Sequence, residues 1–248
     1  MNIDFTLFGY LALCVFFTTA CTIIGATGVF FLKKESPKLE SFCTGFAGGV
    51  MIAGSFFSLI NPALELCPEK IGYKLAFIIG GLVLGLVFMF VCEHVFLKEK
   101  EAFSPKVMFL AITLHNIPEG MCIGVAFAMG GLGNLAGAIA LAIGIGIQNL
   151  PEGASVSLPM YSYCKNKKKA FNFGLISALV EPIGALLAFV FASAISSILP
   201  LLLCFAGSCM IFVVLTDLMP ESCHINKKIA TISMAIGFII MTMLDLLL

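Results

Sequence analysis

Charge is scarce in this sequence. Only 11% of its 248 residues are Asp, Glu, Lys or Arg, against about 25% in an ordinary soluble domain, while 60% are hydrophobic. That balance nearly excludes a water-soluble globular fold. Arginine is absent, and 14 lysines balance 14 acids to a net charge of zero, so nothing points to a nucleic-acid surface. No Cys-x-x-Cys pair exists, and Cys14, Cys21, Cys43, Cys92, Cys122, Cys204 and Cys209 lie in apolar runs. These cysteines therefore read as buried packing thiols rather than a disulfide framework. Met1 to Asp4 contain no lysine, so the basic region of a cleaved signal peptide is missing and the first apolar run is expected to stay. No soluble domain, long linker or low-complexity tract interrupts the chain.

What is present is a series of long apolar runs. About 20 helical residues span a bilayer core of about 30 Å, and eight such runs lie at 5–32, 40–62, 73–97, 106–129, 134–160, 170–193, 198–220 and 229–246. The expected fold is an all-α integral membrane protein of eight transmembrane helices. Lysines mark alternate loops: Lys33, Lys34 and Lys38 after the first run; Lys98, Lys100 and Lys106 after the third; Lys165, Lys167, Lys168 and Lys169 after the fifth; Lys227 and Lys228 after the seventh. The other loops hold only Lys70 and Lys74. By the positive-inside rule the lysine-rich loops face the cytoplasm and both termini lie outside. Glycines four apart, at Gly45/Gly49, Gly81/Gly85 and Gly120/Gly124, are expected to let helix backbones approach closely within lipid.

Acidic residues inside such spans are costly and usually functional. The fourth run contains His115-Asn116-Ile117-Pro118-Glu119-Gly120, and the fifth repeats it as Gln148-Asn149-Leu150-Pro151-Glu152-Gly153; the sixth adds Glu181-Pro182. Residues four apart share a helix face, which groups His115 with Glu119 and Gln148 with Glu152. Each proline lacks an N–H and frees a carbonyl one turn back, Leu114 for Pro118 and Ile147 for Pro151, a defect tolerated only against protein or a water-filled cavity. At about 1.5 Å per residue from Lys106, Lys165 and Lys169, the carboxylates of Glu119, Glu152 and Glu181 all lie about 18–20 Å deep. His115 and Gln148 come out at about 14 and 25 Å. No lysine accompanies them within the bilayer, so protons or metal cations must supply the compensating charge. Carboxylates, amide oxygens and one imidazole suit zinc, iron, manganese or cobalt better than thiolate-seeking copper. A protonated network of purely structural residues is the plain alternative.

The doubled motif, set within eight spans, resembles the ZIP family of divalent-metal transporters, and its compact GufA-like branch in particular. The resemblance extends to Phe57-Ser58-Leu59-Ile60-Asn61-Pro62, Glu181-Pro182-Ile183-Gly184 and Asp217-Leu218-Met219-Pro220-Glu221, and so covers essentially the whole chain. It implies a 3+2+3 arrangement in which spans one to three and six to eight form an inverted repeat around spans four and five. It also implies a binuclear centre. The first metal would take His115, Glu119, Gln148 and Glu152; the second would take Asn116, Glu119, Asn149, Glu152 and Glu181, with the two motif glutamates bridging. Zinc is the expected substrate, with iron, manganese, cobalt and cadmium as further candidates, moved into the cytoplasm across an inner cell membrane by a multi-pass protein that can form a homodimer. Gln148 and Asn149 stand where other members carry His or Asp, which leaves metal preference open. Residues 98–105 lack the histidines many members display there, so a metal-sensing loop is not expected.

Other polar residues fall at the span ends and are candidates for a route. Glu65 and Asp245 close spans at the outer face, and Ser58 lies within the second span. Glu93, His94, Asp217, Glu221 and His224 lie towards the cytoplasm. Rival readings are a proton-coupled carrier of another solute and an intramembrane metalloenzyme, although the His-Glu-x-x-His arrangement of a metalloprotease is absent.

Overall fold

In hydrocarbon, helices satisfy every backbone N–H and C=O within their own segment, and the apolar runs fold accordingly. The structure is a computed structural model that describes residues 5–32, 36–67, 69–96, 105–191 and 196–247. Met1–Asp4, Lys33, Lys34, Lys98, Lys100 and most of the histidine-free loop lie outside the described residues. The helices are α1 (Phe5–Phe31), α2 (Pro37–Gly54), which continues through a π-helical segment (Ser55–Ile60) into α3 (Asn61–Leu66), and α4 (Ile71–Phe96). They continue as α5 (Pro105–Gly130), α6 (Leu135–Cys164), α7 (Lys167–Val190), α8 (Leu199–Val213) with a second π segment (Val214–Leu218), and α9 (Met219–Leu247). There is no strand among the described residues, and all ten cysteines are free.

Among the described residues, six stretches are long and apolar enough to cross a membrane. One of them, Leu199–Leu247, is 49 residues long. At about 1.5 Å per residue it is more than twice the length that a bilayer core of about 30 Å requires. It is interrupted at Asn226, whose backbone is extended (φ −158°, ψ 96°) and whose Oδ1 accepts the Ile229 N–H at 3.1 Å. α5, which carries the first polar hexamer, is not one of the six.

Local signals at the lysine-rich end explain where helices begin and end. Ser36 caps α2 by accepting the Leu39 N–H, and Asn166 caps α7 by accepting the Lys169 N–H. Lys165 adopts a left-handed conformation (φ 51°) at the end of α6. Lys167 Nζ donates to the Phe30 and Leu32 carbonyl oxygens, placing a cation on the carbonyl end of α1.

The helices associate as two groups of four. α1 packs on α6 and α5 on α7, with α1, α5 and α6 all touching α7; α2 packs on α9 and α4 on α8. The helices are thus divided between a first group (α1, α5, α6, α7) and a second (α2, α4, α8, α9). Glycines make each pairing possible. A Cβ on Gly120 or Gly184 would overlap the carbonyl of Glu181 or Ile117. On Gly153 or Gly25 it would overlap that of Thr22 or Leu150. The same holds for Gly49 against Met234, Gly237 against Phe46, and Gly81 and Gly85 against α8. Helix association in lipid depends on such close packing. Away from it, α4 presents Ile79, Val83, Leu86, Val87, Phe90 and Val91 outward, as expected of a lipid-facing helix.

Adding a side chain at these crossings forces whole helices apart, a change that typically costs more than about 1–3 kcal/mol when backbone is in the way. Gly153→Val and Gly120→Val are therefore expected to lower the thermal midpoint of the detergent-purified protein by several degrees or to abolish its monodisperse elution. Gly9→Ala, which meets nothing within 4 Å, should behave as wild type.

Candidate metal centre

The helix crossings bring the two hexamers face to face. α5 and α6 run antiparallel, so the first polar residue of one motif meets the glutamate of the other. His115 Nε2 lies 3.6 Å from Glu152 Oε2, and Gln148 Nε2 donates to Glu119 Oε1 at 3.2 Å. α7 closes the third side: Asn149 Nδ2 donates to Glu181 Oε2 at 3.0 Å, and Asn116 Nδ2 donates to the main-chain oxygen and Oγ of Ser177 at 3.1 and 3.2 Å. All seven motif and carboxylate residues are at most 1% exposed. One ligand atom each from His115, Glu119 and Glu152 fall within 4.8 Å of one another.

The hydrogen bonds leave a distinctive remainder. Each amide spends its NH2 group on a neighbour. His115 Nδ1 and Nε2, Asn116 Oδ1, Glu119 Oε2, Gln148 Oε1, Asn149 Oδ1, both Glu152 oxygens and Glu181 Oε1 are buried without a hydrogen-bond partner. Unpaired buried donors and acceptors are few in native proteins, and a cluster of them calls for an unfilled role. An electron-pair acceptor such as a divalent cation satisfies such a set at once, because carboxylate and amide oxygens and a neutral imidazole are all its ligands. Between Lys106 and Lys165, and between Lys169 and Lys227, the sequence holds no lysine to neutralise these carboxylates.

The remaining candidates divide between the two ends. Away from the lysine clusters, Ser58 Oγ donates to Asp245 Oδ1 at 2.9 Å and joins the first π segment to α9. Glu65 is exposed and accepts from Asn61 on its own helix at 3.4 Å. Towards the lysine-rich end, Asp217 sits in the second π segment, accepting from Thr216 Oγ1 at 2.8 Å. Glu221 follows four residues later, but the π segment interrupts the regular helix that would set both on one face. Glu221 and Glu93 nevertheless lie within electrostatic reach of Asp217. His94 and His224 are exposed. Sequence reasoning passed over Glu40, which lies within reach of Glu221 and accepts from Ser162 Oγ on α6 at 2.8 Å. An acid at the very start of an apolar run was the available signal. Ser177 was also missed; nothing in the sequence distinguishes it from other small helix residues.

Both π segments have one cause. Their last bonds, Asn61 N–H to Phe56 O and Met219 N–H to Val214 O, skip five residues, and Pro62 and Pro220 follow with no N–H to give. The slack in the ladder falls where Ser58 and Asp217 lie. π segments inside helices often accompany function.

A family model described as ZIP Zinc transporter matches residues 99–245, more than half of the chain. Zinc transporter GufA of Myxococcus xanthus is 34% identical over 243 residues, covering 91% of this chain and 93% of its own length. Zinc transporter ZIPB of Bordetella bronchiseptica is 33% identical over 242 residues, covering 91% of this chain and 77% of its own. The chain spans about a third (33%) of a longer Arabidopsis thaliana relative, to which it is 30% identical over 213 residues. The doubled hexamer, the buried donor cluster and these matches agree: this multi-pass membrane protein belongs to the ZIP zinc transporter family.

Proposed function

We propose that this protein carries divalent metal cations, zinc foremost, into the cytoplasm through the centre formed by α5, α6 and α7. The observation that carries the reading is the set of nine buried nitrogen and oxygen atoms left unpartnered on His115, Asn116, Glu119, Gln148, Asn149, Glu152 and Glu181. In a lipid-surrounded protein an unfilled polar cluster is expensive unless a cation visits it. Transport rather than catalysis is the activity of this family, so a hydrolytic role for His115 and Glu119 falls away.

Two metals fit the donors. His115, Glu119, Gln148 and Glu152 would hold one, and Asn116, Glu119, Asn149, Glu152 and Glu181 the other, with Glu119 and Glu152 shared. Zinc suits the mixture of imidazole and carboxylate; iron, manganese, cobalt and cadmium are candidate competitors. Three neutral amides among the ligands keep affinity moderate, as a site that must also release its ion requires.

Eight spans with both termini outside account for the alternating lysines. The break at Asn226 supports counting two crossings in Leu199–Leu247, and α5 supplies the remaining one. Exchanging α1 with α7, α5 with α6, α2 with α8 and α4 with α9 maps the principal helix pairings onto themselves, which supports the inverted repeat. A cation would enter past Ser58 and Asp245, rest at the centre, and leave past Asp217, Glu221 and Glu93. The membrane is read as the inner or plasma membrane of the cell.

Radioactive zinc uptake into proteoliposomes tests the function. Wild type should show saturable uptake, and the Glu119→Ala plus Glu152→Ala double variant should fall to the background of empty vesicles. Competition by cadmium, cobalt, manganese and iron should then rank the substrates. Folded, correctly oriented protein that neither moves nor binds any of these ions would instead support a proton-coupled carrier of another solute.

The amide at 149 gives a second prediction. Asn149→Asp adds a charge to the second ligand set and replaces a hydrogen bond to Glu181 with repulsion that a cation relieves. Zinc KM is expected to fall and Vmax to fall with it, as tighter binding slows release. Unchanged kinetics in this variant would remove Asn149 from the ligand set.

A further inference from the structure

Two crossings in the first helix group are alike residue by residue. Between α5 and α7, Gly120 meets the carbonyl of Glu181, and Gly184, three residues after Glu181, meets that of Ile117. Between α6 and α1, Gly153 meets the carbonyl of Thr22, and Gly25, three residues after Thr22, meets that of Leu150. Ile117 and Leu150 hold the same place in the doubled hexamer. The crossings therefore equate Thr22 with Glu181 and, one turn earlier, Thr18 with Ser177.

Equivalent places are used differently. Thr18 Oγ1 donates to Val15 O of its own helix at 3.1 Å and lies within reach of the Glu181 carboxylate, whereas Ser177 receives the Asn116 amide on both its main-chain oxygen and its Oγ. The motif asparagines follow suit. Asn149 rests its NH2 group on Glu181, which is itself a candidate ligand; Gln148 likewise rests on Glu119. A cation on those carboxylates draws charge from the groups on which the amides rest. Asn116 is the only one of the three amides held by a residue with no place in the ligand set.

We propose that Ser177 is a positioning residue for the metal centre, fixing the Asn116 amide so that its oxygen is a ready ligand whether or not a cation is bound. This rests on the transport reading above. A main-chain carbonyl can only accept, so the Ser177 oxygen 3.1 Å away requires Nδ2 on that side and turns Oδ1 away from it, buried and unpartnered. The hydroxyl at 3.2 Å doubles the constraint. Ser177 lies one turn before Glu181 on the same helix face, and the Gly120–Gly184 crossing fixes both relative to α5. Asn116 thus contributes a pre-oriented oxygen to the second ligand set, while Gln148 and Asn149 are held by carboxylates that the cation would itself engage.

Zinc affinity of the purified protein and zinc uptake into proteoliposomes, measured on wild type, Ser177→Ala, Asn116→Ala and the double variant, test the assignment. Loss of one neutral hydrogen bond from the anchor should weaken zinc binding and raise KM about two- to tenfold, with Vmax within about twofold of wild type. In the Asn116→Ala background, where His115, Glu119, Gln148 and Glu152 still bind metal, Ser177→Ala should have no further effect. A Ser177→Ala protein with wild-type affinity and KM overturns the proposal. So does an equal loss in both backgrounds, which would mark Ser177 as a packing residue. If wild type itself neither binds nor moves zinc, the transport reading fails and this inference fails with it; zinc transport by wild type with an unaltered Ser177→Ala fails the inference alone.

Discussion

Burying three carboxylates among apolar helices sets the terms for the rest of the molecule. A carboxylate without a partner in a low-dielectric interior is far costlier than an ordinary helix contact can offset. Part of that cost is met locally: Gln148 donates to Glu119, Asn149 to Glu181, and His115 lies beside Glu152. Asn116 gives both its N–H groups to Ser177, and no lysine amine lies in the sequence between 106 and 165 or between 169 and 227. The unpartnered lone pairs are matched to a positive ion small enough to sit among them. The proposed function rests on this imbalance of donors and acceptors, which the fold creates and does not itself resolve.

That imbalance depends on how closely the helices approach. Gly120 and Gly184 at one crossing, and Gly153 and Gly25 at the other, place backbone against backbone and bring α7 and α1 onto the motif helices. A helix held further away by a Cβ would leave Glu181 beyond the reach of Asn149. The glycine of each hexamer directly follows its glutamate, so the residue that carries the charge and the residue that admits the neighbouring helix are consecutive. Chemistry and packing are thereby set by the same six positions.

The prolines act differently in the two helix groups. Pro118, Pro151 and Pro182 lie within α5, α6 and α7, which continue as helices through them. Pro62 and Pro220 instead follow π segments that shift the hydrogen-bond ladder by one residue. The shift puts Ser58 against Asp245 at one end and Asp217 within reach of Glu93 at the other. In the second helix group, polar residues are gathered at the ends; in the first, they are gathered at the middle.

Composition, the long apolar runs and the doubled hexamer were sufficient to read an all-helical membrane protein and to group Glu119, Glu152 and Glu181 as candidates for one centre. These are local or periodic properties: hydropathy over 20 residues, charge in loops, and the four-residue spacing of a helix face. The depth count could place three carboxylates at one level, since rise per residue is the same in every helix. It could not say which amide faces which carboxylate, because that depends on the antiparallel register of α5 and α6 and on the rotation of α7. The Ser58–Asp245 contact, the Glu40–Ser162 contact and the anchoring of Asn116 on Ser177 join residues 61 to 187 positions apart. Such contacts exist only once helices have packed, and it is the packing, through glycines that admit a neighbour's carbonyl, that decided them.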